Sequence, residues 1–233
     1  MALALLVPAS LLAQDDASLY MKQAGGAALL FRGHKAYAYP MAFNGTYYWE
    51  SPAFMPGTVI YNGTRYEGLL LNVDAARQDL LVKTPSGNAE KVLVRDYVEH
   101  FEMGGRSFLN LRNCYGPTAP DGYWEVVYDG RSKIIKQVVR LLQQDLSGNL
   151  RDEMGFDDGK YRYNVHQIFT YHVRICYISE NGTITPIRRR SQIMSFYKDR
   201  KRDINRHLSS LESTKSLDLE HYCQAVVQFV ENR

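Results

Sequence analysis

Two residues, Asn62 and Gly63, stand between two runs rich in β-branched and aromatic residues, and they constrain the fold more than any other feature. The runs cover residues 58–61 and 64–73. A two-residue type I′ turn needs positive φ at both central positions, which Asn and Gly tolerate best. The sequence therefore predicts a β-hairpin here.

Short β-rich runs continue after this hairpin at the spacing of an antiparallel meander. They cover residues 78–83, 90–94, 97–103 and 106–111, with turn residues at 85–88 and 104–105. A second hairpin is predicted from residues 123–128 and 132–139 around Asp129 and Gly130. The run 132–139 also fits one face of a helix, but its β-branched content and the Asp-Gly turn favour a strand. Residues 28–31 predict a first strand.

The clearest alternation in the chain lies at residues 169–177. Phe169, Tyr171, Val173, Ile175 and Tyr177 share one face, and more polar residues share the other. This pattern predicts a strand with one side in a core. Asn181 and Gly182 then predict a turn into a last strand at 183–187.

From Ser191 the period becomes helical, with Ser191 as the expected N-cap. One apolar stripe contains Ile193, Met194, Tyr197, Ile204 and Leu208, and a second contains Leu219, Tyr222, Cys223, Val226, Val227 and Val230. Two amphipathic helices joined by a short polar linker predict an antiparallel hairpin. The fold class is therefore mainly β (α+β), an antiparallel meander in a rolled or barrel-like sheet, with a C-terminal helical hairpin. Cys223 on the stripe is expected to be a core thiol.

The first residues form an apolar run too short to span a bilayer and of the length of a signal-peptide h-region. Ala13 before Gln14 marks a cleavage point, although no basic residue precedes the run. The alternative is a buried N-terminal helix. The predicted organisation is a signal peptide at 1–13, an aromatic-rich segment at 14–56, an antiparallel β domain at 57–187 and the helical hairpin at 188–233. No transmembrane span is expected after signal removal.

Two surfaces are candidates for binding. The net charge of +3 is unevenly distributed, with +6 between residues 188 and 206 and −3 elsewhere. A basic stripe can contact an anionic polymer or simply form a solvated helix face. Its members are Arg188, Arg189, Arg190, Lys198, Arg200, Lys201, Arg202 and Arg206. Tyr47, Tyr48 and Trp49 offer rings to a glycan or a partner, or belong to a core.

The sequence predicts no catalytic residues, no metal site and no cofactor. It has no G-x-S-x-G, H-E-x-x-H, P-loop or dinucleotide motif, and its six histidines are scattered. His172 and Cys176 lie about 13 Å apart on one strand face, too far to pair. The acidic residues Asp152, Glu153, Asp157 and Asp158 fail the EF-hand spacing. Whether the chain is an enzyme stays open, with a non-enzyme favoured, since carboxylates can converge in three dimensions.

Three cysteines, Cys114, Cys176 and Cys223, permit at most one intramolecular disulfide. An oxidising compartment would allow Cys114 to pair with Cys176, but sequence does not set the geometry. The disulfide state therefore stays open.

Three stretches carry a resemblance to a known group. They read PGTVIYNGTRYEGLLLNVD at 56–74, CYISENG at 176–182 with 187–190 after it, and SQIMSFYKDRKRDI at 191–204. In pattern and order the chain resembles a family of uncharacterised, signal-peptide-bearing envelope proteins of Gram-negative bacteria. The resemblance implies export and a layout of strands followed by helices. It supplies no activity and no site residues.

The leading hypothesis is a non-catalytic, exported cell-envelope protein with a structural or binding role, either periplasmic or associated with the outer membrane or secreted. A protein partner or an envelope polymer is expected ahead of a small molecule, and no nucleic acid is expected. The alternative hypothesis is a carbohydrate-binding or glycan-processing protein that uses Tyr47, Tyr48 and Trp49.

Overall fold

The computed structural model describes residues 25–41, 43–87, 89–112, 119–144, 167–210 and 217–232. The expected signal peptide at 1–13, Cys114 and the acidic loop with Asp152, Glu153, Asp157 and Asp158 lie outside these residues. The described chain is mostly strand and ends in helices, as the sequence predicts.

The described strands form one mixed sheet. They are β1 (Phe43–Asn44), β2 (Met55–Tyr61), β3 (Thr64–Asp74), β4 (Asp79–Lys83), β5 (Glu90–Val92), β6 (Val98–Met103), β7 (Arg106–Leu111), β8 (Gly122–Asp129), β9 (Lys133–Gln144), β10 (Gln167–Ile178) and β11 (Ile184–Ile187). Their order is β1-β10-β9-β8-β7-β6-β2-β3-β4-β5, with β11 also on β10. The β1–β10 pair is parallel, and the other pairs are antiparallel. Because β1 and β5 stand at opposite ends of this order, the sheet is not closed into a barrel.

Both predicted hairpins are confirmed. Asn62 and Gly63 have φ angles of 50° and 74°, the positive values that a type I′ turn requires. The run at 132–139, which also fits one face of a helix, belongs from Lys133 onward to strand β9, antiparallel to β8. A Cβ at Gly130 would lie 2.1 Å from Oε2 of Glu231, so a larger residue there would displace this carboxylate.

The sheet rolls so that the turn between β3 and β4 reaches β9, although four strands separate β3 from β9 in the strand order. The Arg140 N–H donates to the Ala75 carbonyl at 3.2 Å, and Nε2 of Gln78 donates to the Val138 carbonyl at 2.9 Å. We call this contact between residues 75–78 and residues 138–140 the seam. Residues 47–49 run beside it, and the Trp49 N–H donates to the Val73 carbonyl at 2.9 Å. The largest apolar cluster fills the inside of this roll.

The helices α1 (Arg190–Ser195), α2 (Lys201–Ser210) and α3 (Leu219–Glu231) follow β11. They bury the predicted stripes against β8 to β11, and Cys223 is fully buried among them. Cys176 lies in a cluster on the opposite face of the sheet, because the neighbouring Ile175 faces the helices. No described helix has the length and apolar composition needed to cross a bilayer.

Two local predictions are wrong. Residues 28–31 belong to a 3₁₀ helix, Gly25–Arg32, and not to a strand, since so short an apolar run does not distinguish the two by periodicity. The first C-terminal helix is interrupted by a 3₁₀ turn, Lys198–Arg200, and begins at Arg190 instead of being capped by Ser191. The interruption lies at Tyr197, whose φ of −125° and ψ of 42° leave the helical region.

The end of α3 is fastened to the turn between β8 and β9 by the Glu231 carboxylate. It accepts the N–H groups of Arg131 and Ser132, both at 2.9 Å, the Tyr128 hydroxyl at 3.1 Å and the Ser132 hydroxyl. Partial burial raises the pKa of Glu231, but these hydrogen bonds outweigh it, and the net pKa lies below the ordinary glutamate value. The ionised carboxylate therefore holds the helices on the sheet.

Replacing Glu231 with Gln is expected to lower the free energy of unfolding by about 1.5–3 kcal/mol at pH 7, because charged acceptors are lost. A lowered folded-state pKa stabilises above the unfolded-state pKa and loses that effect as pH falls through the folded value. The difference between variant and parent should therefore shrink from pH 7 to pH 3 in urea titrations. The matched control is Glu180→Gln, which removes only an exposed ion pair with Arg131. Equal losses in both variants would contradict the role of Glu231.

Candidate functional site

Two of the eight predicted cations are structural. The Arg190 guanidinium lies over the Tyr222 ring, 4.7 Å from its centroid, and donates to the Leu217 carbonyl. Arg200 lies 5.6 Å from the Phe229 centroid and donates to the Val230 carbonyl at 2.8 Å. Both side chains attach the helical segments to α3, so they are not available to a ligand in the way that exposed cations are.

The other six cations are exposed, and we call them the basic surface. They are Arg188, Arg189, Lys198, Lys201, Arg202 and Arg206. Arg206 pairs weakly with Asp203 at 3.4 Å. Among the described residues the remaining five form no ion pair. The arrangement follows from the amphipathic pattern, because Ile204 and Leu208 are buried and the charges occupy the opposite side of α2.

The predicted aromatic surface at Tyr47, Tyr48 and Trp49 is largely inside the fold. Tyr48 is 8% exposed and Trp49 is 4% exposed. Trp49 packs against Phe108 inside the roll, and the rings of Tyr47 and Tyr48 lie 4.2 Å apart. The physical reason is the seam, since Tyr48 bridges to Asp74 and its neighbours bond to β3. The described structure therefore does not present these three rings together to a glycan.

A buried ion-pair cluster that the sequence analysis missed joins the sheet to α3. Nζ of Lys136 lies 2.8 Å from Oε2 of Glu125 and 2.9 Å from Oε1 of Glu220. Arg106 adds a contact of 3.7 Å to Glu125 and one of 2.6 Å to Glu50. The only sequence signal was one lysine inside the buried run of β9. A cavity of about 590 Å³ borders these residues.

The chemistry of this cluster is that of a structural site. Burial lowers the pKa of Lys136, but hydrogen bonds and charge from Glu125 and Glu220 outweigh it, and the net pKa is raised. Lys136 therefore stays protonated at neutral pH and cannot act as a nucleophile or base.

The pairing considered between His172 and Cys176 is not formed. His172 is exposed and bonds Oγ1 of Thr170 at 3.0 Å, whereas Cys176 is buried. Burial raises the pKa of the Cys176 thiol to about 11, so little thiolate exists at neutral pH. Within the described ranges, no three His, Cys, Asp or Glu side chains converge as metal ligands.

A cavity of about 770 Å³ lies along the outer edge of β10, and we call it the edge groove. It is lined by Tyr171, Val173 and Arg174 of β10, by Pro186 and Ile187 of β11 with Arg188 after them, and by Asp218, Leu219 and Glu220 at the start of α3. Tyr171 is 54% exposed and Val173 is 39% exposed. The expectation that this whole strand face lies in a core is therefore wrong at its centre, because the helices cover only the end of β10 near Ile175 and Tyr177.

Comparisons with protein-family models, with curated proteins and with solved structures find no match to this chain. The basic surface and the edge groove are the two exposed features of the described chain whose chemistry suits a ligand.

Proposed function

We propose that this protein is a non-catalytic, exported protein of the Gram-negative cell envelope that binds an anionic envelope polymer through the basic surface. Five exposed cations without an ion-pair partner in the described chain carry this proposal. Support for export comes from the apolar run at residues 1–13 and from the family resemblance, and both are features of the sequence.

A polymer suits this surface better than a small molecule does. The cations are distributed over the two residues before α1, the 3₁₀ turn and α2, so that no single small ligand would contact them all. A chain of repeated anionic groups can satisfy several separated cations at once, and each such contact near an anionic surface contributes about 1 kcal/mol. The attraction is electrostatic, so it should weaken as the salt concentration rises.

Replacing Lys198, Lys201 and Arg202 together with Gln is expected to weaken binding of the mature protein to soluble heparin by about 10- to 100-fold. The salt dependence of the affinity should become shallower, because fewer charges take part. Isothermal titration at several salt concentrations measures both quantities. Arg190 and Arg200 are left unchanged, since their removal would disturb the packing of α3.

The matched control replaces three exposed cations that lie outside the C-terminal segment from α1 to α3 with Gln. They are Arg32, Lys35 and Arg65. It makes the same change in net charge and should alter the affinity by less than about twofold if the basic surface is the binding site. Equal weakening in the two triple variants would show that binding follows net charge alone and would contradict the proposal. Recovery of the protein from the cytosol with residues 1–13 still attached would contradict export.

A further inference from the structure

Among the residues that the structure describes, none pairs with the middle of strand β10 on its outer edge. Its inner edge pairs with β9 over all twelve residues, from Gln167 to Ile178. On the outer edge β1 pairs only with residues 167–168 and β11 only with residues 175–178. Phe169 is still covered by the residue after β1, since a Cβ on Gly45 would lie 3.1 Å from the Phe169 carbonyl oxygen. Residues 170–174 therefore form the gap, five residues or about 17 Å long.

The backbone groups of Tyr171 and Val173 point into this gap. Their partners on β9 are Arg140 and Val138. The Arg140 N–H donates to Ala75 and the Val138 carbonyl accepts from Gln78, so both groups point away from β10. In an antiparallel ladder the two members of such a pair point away from each other. The N–H and C=O groups of Tyr171 and Val173 therefore face outward, and no described residue bonds to them.

The position of Pro186 agrees with this assignment. Pro186 lies opposite Cys176 and has no N–H to donate. Cys176 must then direct its backbone groups toward β9, and its neighbour Ile175 must direct its own toward β11. Counting back by two from Ile175 places Val173 and Tyr171 on the same outward side.

The side chains around the gap specify what would fit. On the helix side, Tyr171 and Val173 are exposed beside Leu219, which Asp218 and Glu220 flank in the groove. The Arg140 guanidinium lies 4.6 Å from the centroid of the Tyr171 ring, so the apolar surface there is that of Val173 and the free edge of Tyr171. On the opposite side of the strand, His172 and Arg174 are exposed, and Arg188 lines the same groove. Apolar and basic contacts thus alternate along the strand, with the period of two that an added strand would share.

We propose that the edge groove binds an extended segment of a partner protein, with alternating apolar and acidic residues, as an added β-strand. The added backbone bonds to Tyr171 and Val173, its apolar side chains cover those two residues and Leu219, and its acidic side chains face Arg174. A second copy of this chain does not fit through its own β10, because that strand has twelve residues and already carries β1 and β11 at its ends. This site is separate from the basic surface except for Arg188.

The test uses the acetylated and amidated peptide Thr-Val-Glu-Val-Glu-Val-Thr and full-length mature protein, with binding measured by calorimetry. Two comparison peptides carry Lys at both Glu positions or N-methyl groups on alternate residues. Each should bind about 10-fold more weakly or not at all, since the first opposes Arg174 and the second lacks strand donors. Equal binding of all three peptides, or no binding of the acidic peptide, would overturn the proposal.

Two variants of the protein locate the site. Val173→Pro removes an N–H that faces the gap and is not used in the pairing with β9, so the sheet should be retained while binding falls about 10-fold. Arg174→Glu keeps the backbone, removes the 2.8 Å hydrogen bond from Arg174 to Oε1 of buried Gln137 and should reverse the preference between the Glu and Lys peptides. The Lys198, Lys201 and Arg202 triple variant should bind the peptide like the parent, so the two proposals fail independently. Unchanged binding by both Val173→Pro and Arg174→Glu, or peptide-independent dimerisation through this edge, would refute the assignment.

Discussion

Replacing Lys136 with Met is expected to lower the free energy of unfolding by about 3–5 kcal/mol, because it leaves the buried Glu125 carboxylate without its cation. Lys136 is 8% exposed and contacts Glu125 and Glu220 within 2.9 Å. Arg106, at 3.7 Å from Glu125, is too distant and too exposed to replace it. Urea unfolding of parent and variant at pH 7 measures the loss.

The double variant Glu125→Met with Lys136→Met tests whether the loss of stability comes from the unpaired Glu125 carboxylate or from altered packing at position 136. Removing both charges should recover most of the stability, since apolar side chains of similar size can replace a buried ion pair at little cost. Arg65→Met, which breaks an exposed pair with Glu67, is the matched control and should change stability by less than about 1 kcal/mol. A loss in the Lys136→Met variant no larger than in this control, or no recovery in the double variant, would disprove the role of the cluster.

The pH dependence of this cluster has the opposite sign to that of Glu231. The pKa of Lys136 is raised in the folded protein, so its stabilising effect is fully present below the unfolded-state value of about 10.4. The effect is lost only as the pH rises through the still higher folded-state value. Between pH 6 and pH 9 the destabilisation of Lys136→Met should therefore stay constant.

Local chemistry made part of the fold predictable. The φ requirement of a tight turn identified the hairpin at Asn62 and Gly63, and the 3.6-residue period identified the stripe that buries Cys223. These local patterns do not predict which strands distant in sequence pair with each other. Strand β2 pairs with β3 and also with β6, although three strands lie between β2 and β6 in the chain. Nothing in the period of β2 specifies that second partner.

The candidate sites were likewise predictable where they depend on local patterns and not where they depend on contacts between residues distant in sequence. The basic segment was visible as a run of charge, but the division into six exposed cations and the two structural ones, Arg190 and Arg200, depends on rings of α3 about thirty residues later. Burial of Trp49 depends on a seam between β3 and β9. The uncovered stretch of β10 depends on how short β1 and β11 are, and neither length is encoded in the alternation of β10 itself.

The seam that rolls the sheet depends on one side chain at the turn between β3 and β4. Gln78 donates through Nε2 to the carbonyls of Ala75 and Val138, both at 2.9 Å. Its Oε1 accepts the Tyr123 N–H at 3.1 Å and Nε2 of the fully buried Gln137 at 3.2 Å. Gln78 also has a φ of 57°, an unusual value for a residue other than glycine, so the turn holds it against a local preference.

Replacing Gln78 with Leu is expected to lower the free energy of unfolding by about 2–4 kcal/mol, because at least two buried polar partners lose their hydrogen bonds. The neighbouring exposed substitution Arg77→Leu should change it by less than about 1 kcal/mol. Hydrogen exchange supplies a local readout, since the Arg140 amide that bonds to Ala75 across the seam should exchange faster in Gln78→Leu while the β2–β3 amides exchange as in the parent. If Arg140 and the β2–β3 hairpin are affected alike, the loss is global, and Gln78 does not hold the seam.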